Sequence, residues 1–396
     1  MKKNTNTLCT TTARHSDAIQ MANPPMYQGS TIIYKRMADL AAAHHAYETG
    51  QESYTYGRKG TPTSRMLCEA LAELEGGHRT YLCPSGLAAL STALLSQLSA
   101  GDHVLMVDTV YSPTRDLCEH LLKRFGVSTT YYNPLLGKDI AGLIEPNTRV
   151  IFLESPGSLT LEIQDVPAIT AVAKAHNIVT ILDNTWATPL YFKAFKHGVD
   201  IVVQAVTKYL GGHSDVLMGA VIANQATYQS VRNAAHQTGQ FAGGMDISLV
   251  LRGLRTLPTR LREHERNALQ IAQWFETQDA VDYVLHPALP SHPQHGLWQR
   301  DFLGSTGLFS VAFKPQYSVA QINAMVESYD LFGIGYSWGG FESLALPVHP
   351  SHLAHVRSVT PVAQQSMVRY QIGLEGVEDL IADLDVGLRF LKQGNF

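Results

Sequence analysis

No CxxC pair occurs among the four cysteines (Cys9, Cys68, Cys83 and Cys118), which excludes a zinc ribbon and a thioredoxin-like motif and predicts reduced thiols in a cytoplasm. Charge is scarce as well: Asp, Glu, Lys and Arg make up 16% of the 396 residues, the formal net charge is -4, and there is no long block of either sign. Phosphate backbones demand a concentrated basic surface, so this balance argues against a nucleic-acid binder. The opening "MKKNTNTLCTTTARHSD" is polar where a signal peptide needs an apolar segment, and no later run is long and apolar enough to span a bilayer. These absences predict a soluble, cytoplasmic protein with no membrane partner. What the chain has is 45% hydrophobic residues, enough for a large core divided among more than one domain.

Residues 1–62 are polar, rich in Thr and Tyr, and periodic in neither the helical nor the strand sense, so they read as an arm. From Thr63 the pattern changes. "TSRMLCEALAELEGG" begins with capping residues, carries apolar positions at helical spacing and stops at Gly76-Gly77. Short apolar runs ("YLCP", "HVLMVD", "TRVIFLES", "IVTILDN", "VDIVVQAVTK") then alternate with helical stretches. Strands too apolar to own a solvated face predict an α/β fold, with a mostly parallel sheet covered by helices on both sides, over residues 63–252. Residues 253–396 read as a smaller α+β domain built from "RLREHERNALQIAQWFET", "GLFSVAF" and "GVEDLIADLDVGLRFLKQ".

Three ionisable residues fall at the ends of predicted parallel strands: Glu154 after "VIFL", Asp183 after "TIL" and Lys208 after "VVQAVT". Strand C-termini in an open α/β sheet face the ligand crevice, so the three converge on one site although they are distant in sequence. Singly, each marks only where a strand meets solvent; together they favour a site. A lysine and a carboxylate there suit pyridoxal phosphate: the amine bonds covalently to the aldehyde, and the carboxylate keeps the pyridine nitrogen protonated. "PSGLAAL" supplies a phosphate cradle, a small-residue turn opening a helix whose free N–H groups favour an anion.

Other chemistries fit less well. "GIGYSWGG" has Trp338 where a dinucleotide fingerprint needs its last glycine, and no βαβ unit surrounds it. "REHER" is not HExxH, and the histidines of "HPALPSHPQH" and "HPSHLAH" lack helical i,i+4 spacing, so no metal is expected.

The blocks "SYTYGRKGTPT", "CPSGLAAL", "VDTVYSP", "FLESPGSLTLEIQDV", "LDNTWATP", "TKYLGGHSD", "GYSWGGFESL" and "RYQIGLE" run nearly end to end. In that order they resemble the fold-type-I, pyridoxal-phosphate-dependent enzymes of cysteine and methionine metabolism. The resemblance implies a seven-stranded, mostly parallel sheet and pyridoxal 5'-phosphate as cofactor. It implies Lys208 as the lysine bonded to the cofactor and as proton carrier, Asp183 as partner of the ring nitrogen, and Tyr111 as a catalytic residue that stacks on the ring and assists the exchange of Lys208 for the substrate amine. Gly86, Leu87 and Thr207 match the phosphate cradle. Tyr56 and Arg58 match residues that reach the phosphate of a neighbouring subunit, in a homotetramer made of dimers with shared active sites. Arg369 matches the clamp for the substrate α-carboxylate, with Ser337 and Trp338 beside it and Tyr56 also near the substrate.

One departure is Ala205, where many relatives have the serine of Ser-x-Thr-Lys, so one phosphate hydrogen bond is expected to be absent. "ESPGS" and the tryptophan of "SWGG" differ from the γ-synthase and γ-lyase pattern and resemble β-lyases. The expected activity is cleavage of the Cβ–S bond of L-cystathionine. The rivals are a lyase for cystine or another S-substituted cysteine, a γ-lyase, and a cofactor-binding regulatory protein without catalysis.

Overall fold

The stretch whose sequence shows no period holds two α-helices among its described residues, α1 (Thr5–Thr11) and α2 (Met37–Glu48). None of the α2 residues is buried, so no packed face disciplines their spacing. The computed structural model describes residues 4–11, 21–49, 51 and 53–393. Parts of the expected arm, residues 1–3, 12–20, 50 and 52, lie outside the described residues, as does much of the segment read as lacking a signal peptide.

The helix expected after Thr63 is α3 (Pro62–Glu75). Thr61 and Ser64 cap each other's backbone reciprocally, and Gly76 ends the helix in the left-handed region at φ +84°. Seven strands follow: β1 (Arg79–Cys83), β2 (His103–Val107), β3 (Ser128–Tyr132), β4 (Thr148–Glu154), β5 (Val179–Asp183), β6 (Ile201–Gln204) and β7 (Gly219–Ala223). Their order is β1-β7-β6-β5-β4-β2-β3, parallel throughout except for β7, which runs against both its neighbours. Every residue of β2, β6 and β7 is buried, which is why these strands read as unbroken apolar runs.

A second sheet holds β8 (Val281–Leu285), β9 (Leu308–Phe313), β10 (Gly333–Ile334), β11 (Leu344–Val348) and β12 (Met367–Gln371), in the order β10-β11-β12-β9-β8. The 33-residue helix Gly244–Glu276 joins the sheets and runs unbroken past Arg252, where the sequence suggests a division. Its buried residues divide between two cores, Leu251 and Leu254 with the first sheet, Ile271 and Phe275 with the second.

A polar clamp also joins the two parts. Asp108, directly after β2, is fully buried. It accepts from Arg115 Nη2 at 2.6 Å and from the backbone N–H groups of Ser358, Val359 and Thr360 at 2.8, 3.0 and 2.6 Å. Arg357 donates back to the Ser158 carbonyl at 2.6 Å. The second sheet is thereby fixed against the carboxyl ends of β2 and β4. No helix among the described residues is long and apolar enough to cross a membrane.

Candidate active site

Glu154 and Asp183 are the last residues of β4 and β5 and stand side by side as register partners. Lys208 follows β6 by one tight turn, closed by its N–H on the Ala205 carbonyl at 2.9 Å. The three strand ends singled out in the sequence therefore meet at the carboxyl edge of the sheet, where ligands of open α/β folds sit.

The second sheet brings its own residues to the amine. Lys208 Nζ donates to Ser337 Oγ at 2.6 Å and lies 5.3 Å from the centre of the Trp338 ring. Ser337 takes φ +85°, a left-handed conformation uncommon for a residue with a side chain and one that marks functional sites. Gly339, at φ +83°, makes the approach feasible: a Cβ there would meet the Tyr209 nitrogen at 2.8 Å and the Lys208 carbonyl carbon at 3.1 Å. Arg369, in β12, donates through Nη2 to the Ser337 carbonyl at 3.2 Å, leaving the rest of its guanidinium for a ligand.

These neighbours set the charge states. Burial, reinforced by the Arg369 guanidinium and partly offset by Asp183, brings the Lys208 amine down to about 8. Burial lowers Arg369 to about 10, which still leaves it cationic at neutral pH. Burial raises the Asp183 carboxyl, against the opposing pull of Thr185 and Lys208. Glu154 is held well above the usual carboxylate range, first by burial and then by Asp183. Its Oε2 accepts the Tyr111 N–H at 2.8 Å, so this carboxyl positions Tyr111, which is 46% exposed.

The residues present fit pyridoxal phosphate. Thr185 donates both its N–H and its hydroxyl to Asp183 Oδ1, which leaves Oδ2 for the ring nitrogen. The same Thr185 oxygen accepts the Ala205 N–H at 2.9 Å, tying Asp183 to the turn that delivers Lys208. Ser85 caps α4 (Gly86–Leu95) through the Ala88 N–H, so the N–H groups of Gly86 and Leu87 at its first turn remain for an anion. A Cβ on Gly86 would stand 2.8 Å from the Ala205 Cβ, so glycine and alanine together keep this cradle open.

Two expected groups are placed differently from the rest. The Thr207 hydroxyl donates to the Met218 carbonyl at 3.2 Å and accepts the Met218 N–H at 3.0 Å, so its proton has to be redirected to serve a phosphate. Arg58 donates to the His236 carbonyl at 3.0 Å, and neither it nor Tyr56, 45% exposed, makes a hydrogen bond to Lys208, Asp183 or Thr207 of the same chain. Sequence reasoning missed Thr185 and the grip of Glu154 on Tyr111. A threonine two residues after a strand-end aspartate is the local signal for the first, because Thr side chains readily bond the backbone and side chains two residues away.

Proteins of known kind share this architecture. A cystathionine beta-lyase of Haemophilus influenzae is 42% identical over 368 residues, 92% of each chain. An L-alanine/L-glutamate racemase of Wolbachia pipientis is 43% identical over 374 residues, again 92% of each. The crystal structure of cystathionine gamma synthase from Xanthomonas oryzae pv. oryzae superposes with a TM-score of 0.91 at 29% identity, covering 100% of both chains. The model of the Cys/Met metabolism PLP-dependent enzymes matches residues 6–389, and with that span the chain belongs to this family.

Proposed function

We propose that the protein cleaves the Cβ–S bond of L-cystathionine, giving homocysteine, pyruvate and ammonia with uptake of one water. The observation that carries this reading is the Lys208 amine, held by Ser337 between the fields of Asp183 and Arg369. Pyridoxal phosphate, when bound, supplies an aldehyde for the amine and a cationic ring that accepts electrons from Cα.

Arg369 binds the substrate α-carboxylate and so presents Cα to Lys208. Lys208 takes the Cα proton. At a pKa of about 8, roughly a tenth of such amines are neutral at pH 7, against roughly one in three thousand at the ordinary value. The proton then passes to the departing sulfur, which makes homocysteine a thiol and returns Lys208 to its starting state. With the cofactor bound, Asp183, whose Oδ1 alone takes the Thr185 bonds, would hold the ring nitrogen protonated, and Tyr111 would cover the ring. Tyr56 and Arg58, which make no hydrogen bond to the Lys208 of their own chain, complete the site of a second copy. The assembly is a homotetramer of dimers, and the unpaired cysteines suit a cytoplasmic setting.

The similarity to the Wolbachia racemase favours a second reading, racemisation of a small amino acid, since that reaction also begins with removal of the Cα proton. Incubation of the holoenzyme with L-cystathionine and separately with L-alanine tests both. Thiol release that vanishes in Lys208→Ala supports the lyase; D-alanine without thiol release overturns it.

A further inference from the structure

Glu75, the last residue of α3, is 2% exposed and serves none of the roles above. It falls on the stripe of Leu67 and Leu71, where an apolar side chain would satisfy the packing of the helix. Its Oε1 accepts Gln204 Nε2 at 2.6 Å, and Asn184 Nδ2 approaches both carboxylate oxygens at 3.4 Å. The same Gln204 nitrogen donates to the Asn184 carbonyl at 3.1 Å. Asn184 directly follows Asp183, and Gln204 ends β6, four residues before Lys208.

We infer that Glu75 is a positioning residue for the reaction: it ties the strand end that carries Asp183 to the one that leads into Lys208, and so sets where the amine stands relative to the carboxylate. The orphaned groups around it support a second, protonated state. Gln204 Oε1 and Asn184 Oδ1 are buried without a hydrogen-bond partner while their amide nitrogens face Glu75, so a protonated Glu75 supplies a donor to one of them once that amide turns over. Burial, opposed by Gln204, Asn184 and Lys193, raises its carboxyl to about 7. Among the described residues the cation acting on it is Lys193, which donates to the Leu74 and Pro189 carbonyls. Lys193 and Arg260 of the long helix also act on the buried Cys9 thiol of α1, which burial pushes up to about 11.

The proposal rests on Lys208 and Asp183 flanking the cofactor, and its test needs no substrate. The holoenzymes of the parent, Glu75→Gln and Glu75→Asp are titrated with pH while the visible absorbance of the lysine-bound cofactor is followed. The midpoint is expected to move by about half a pH unit or more in Glu75→Gln and to return toward the parent in Glu75→Asp. With a thioether substrate, kcat falls about tenfold while KM holds, and a limb near pH 7 disappears from the kcat profile. An unchanged absorbance titration and pH profile, with only a lowered melting temperature, overturns the proposal. Should Glu75→Gln not fold, Gln204→Met removes the same link from the other end, and an unmoved midpoint there is equally fatal. A shifted midpoint in an enzyme that fails to cleave cystathionine refutes the substrate reading and leaves this one standing.

Discussion

Lys208 attacks an aldehyde only as the neutral amine, so its surroundings are measurable before any catalysis. Cofactor-free protein mixed with pyridoxal phosphate is expected to form a borohydride-reducible bond at a rate that rises with pH through a midpoint near about 8. The sign follows from the cause: burial and Arg369 disfavour the ammonium form, so deprotonation comes earlier than for a free lysine. A midpoint near 10.5, the ordinary value, contradicts the account. The strand-end placement of Glu154, Asp183 and Lys208 was legible in the sequence, because each ionisable residue closes an apolar run. Glu75 was not read, although its signal lies in "EALAELEGG": an acid sits where the stripe of Leu67 and Leu71 calls for an apolar residue.

At the scale of elements, the apolar runs of β2, β4, β5 and β6 were legible because both faces of each strand are covered. The same cause hides direction. A strand buried on both faces carries no alternation, so nothing in "GAVIA" distinguishes the antiparallel β7 from its parallel neighbours. The clamp at Asp108 was equally silent, since its partners at 358–360 offer backbone N–H groups, which every residue but proline possesses. Burial raises the Asp108 carboxyl, but the three N–H groups outweigh it and the net shift is downward. Its stabilisation is therefore present above the ordinary carboxylate pKa and lost as pH falls through the depressed one. Asp108→Asn is expected to cost about 3 kcal/mol at neutral pH in urea unfolding, with the difference shrinking in acid. Equal stability of the two proteins at neutral pH removes the clamp from the account.

The whole molecule is where one chain says least about itself. Tyr56 and Arg58 lie in a stretch with no period to read, and their proposed role concerns another copy, so they were reached through family resemblance alone. If sites are shared, homomers of Lys208→Ala and of Arg58→Ala, each impaired, regain activity when their subunits exchange. A dimer holding one of each has one site free of both changes, so recovery approaches about a quarter of the parent value. No recovery after verified exchange confines each site to one subunit. The central claim, cleavage at Cβ of a cysteine thioether, is tested most directly by the keto acid formed when the holoenzyme consumes L-cystathionine. Pyruvate in equal amount with homocysteine is the predicted result; 2-oxobutyrate with cysteine, or no keto acid at all, contradicts it.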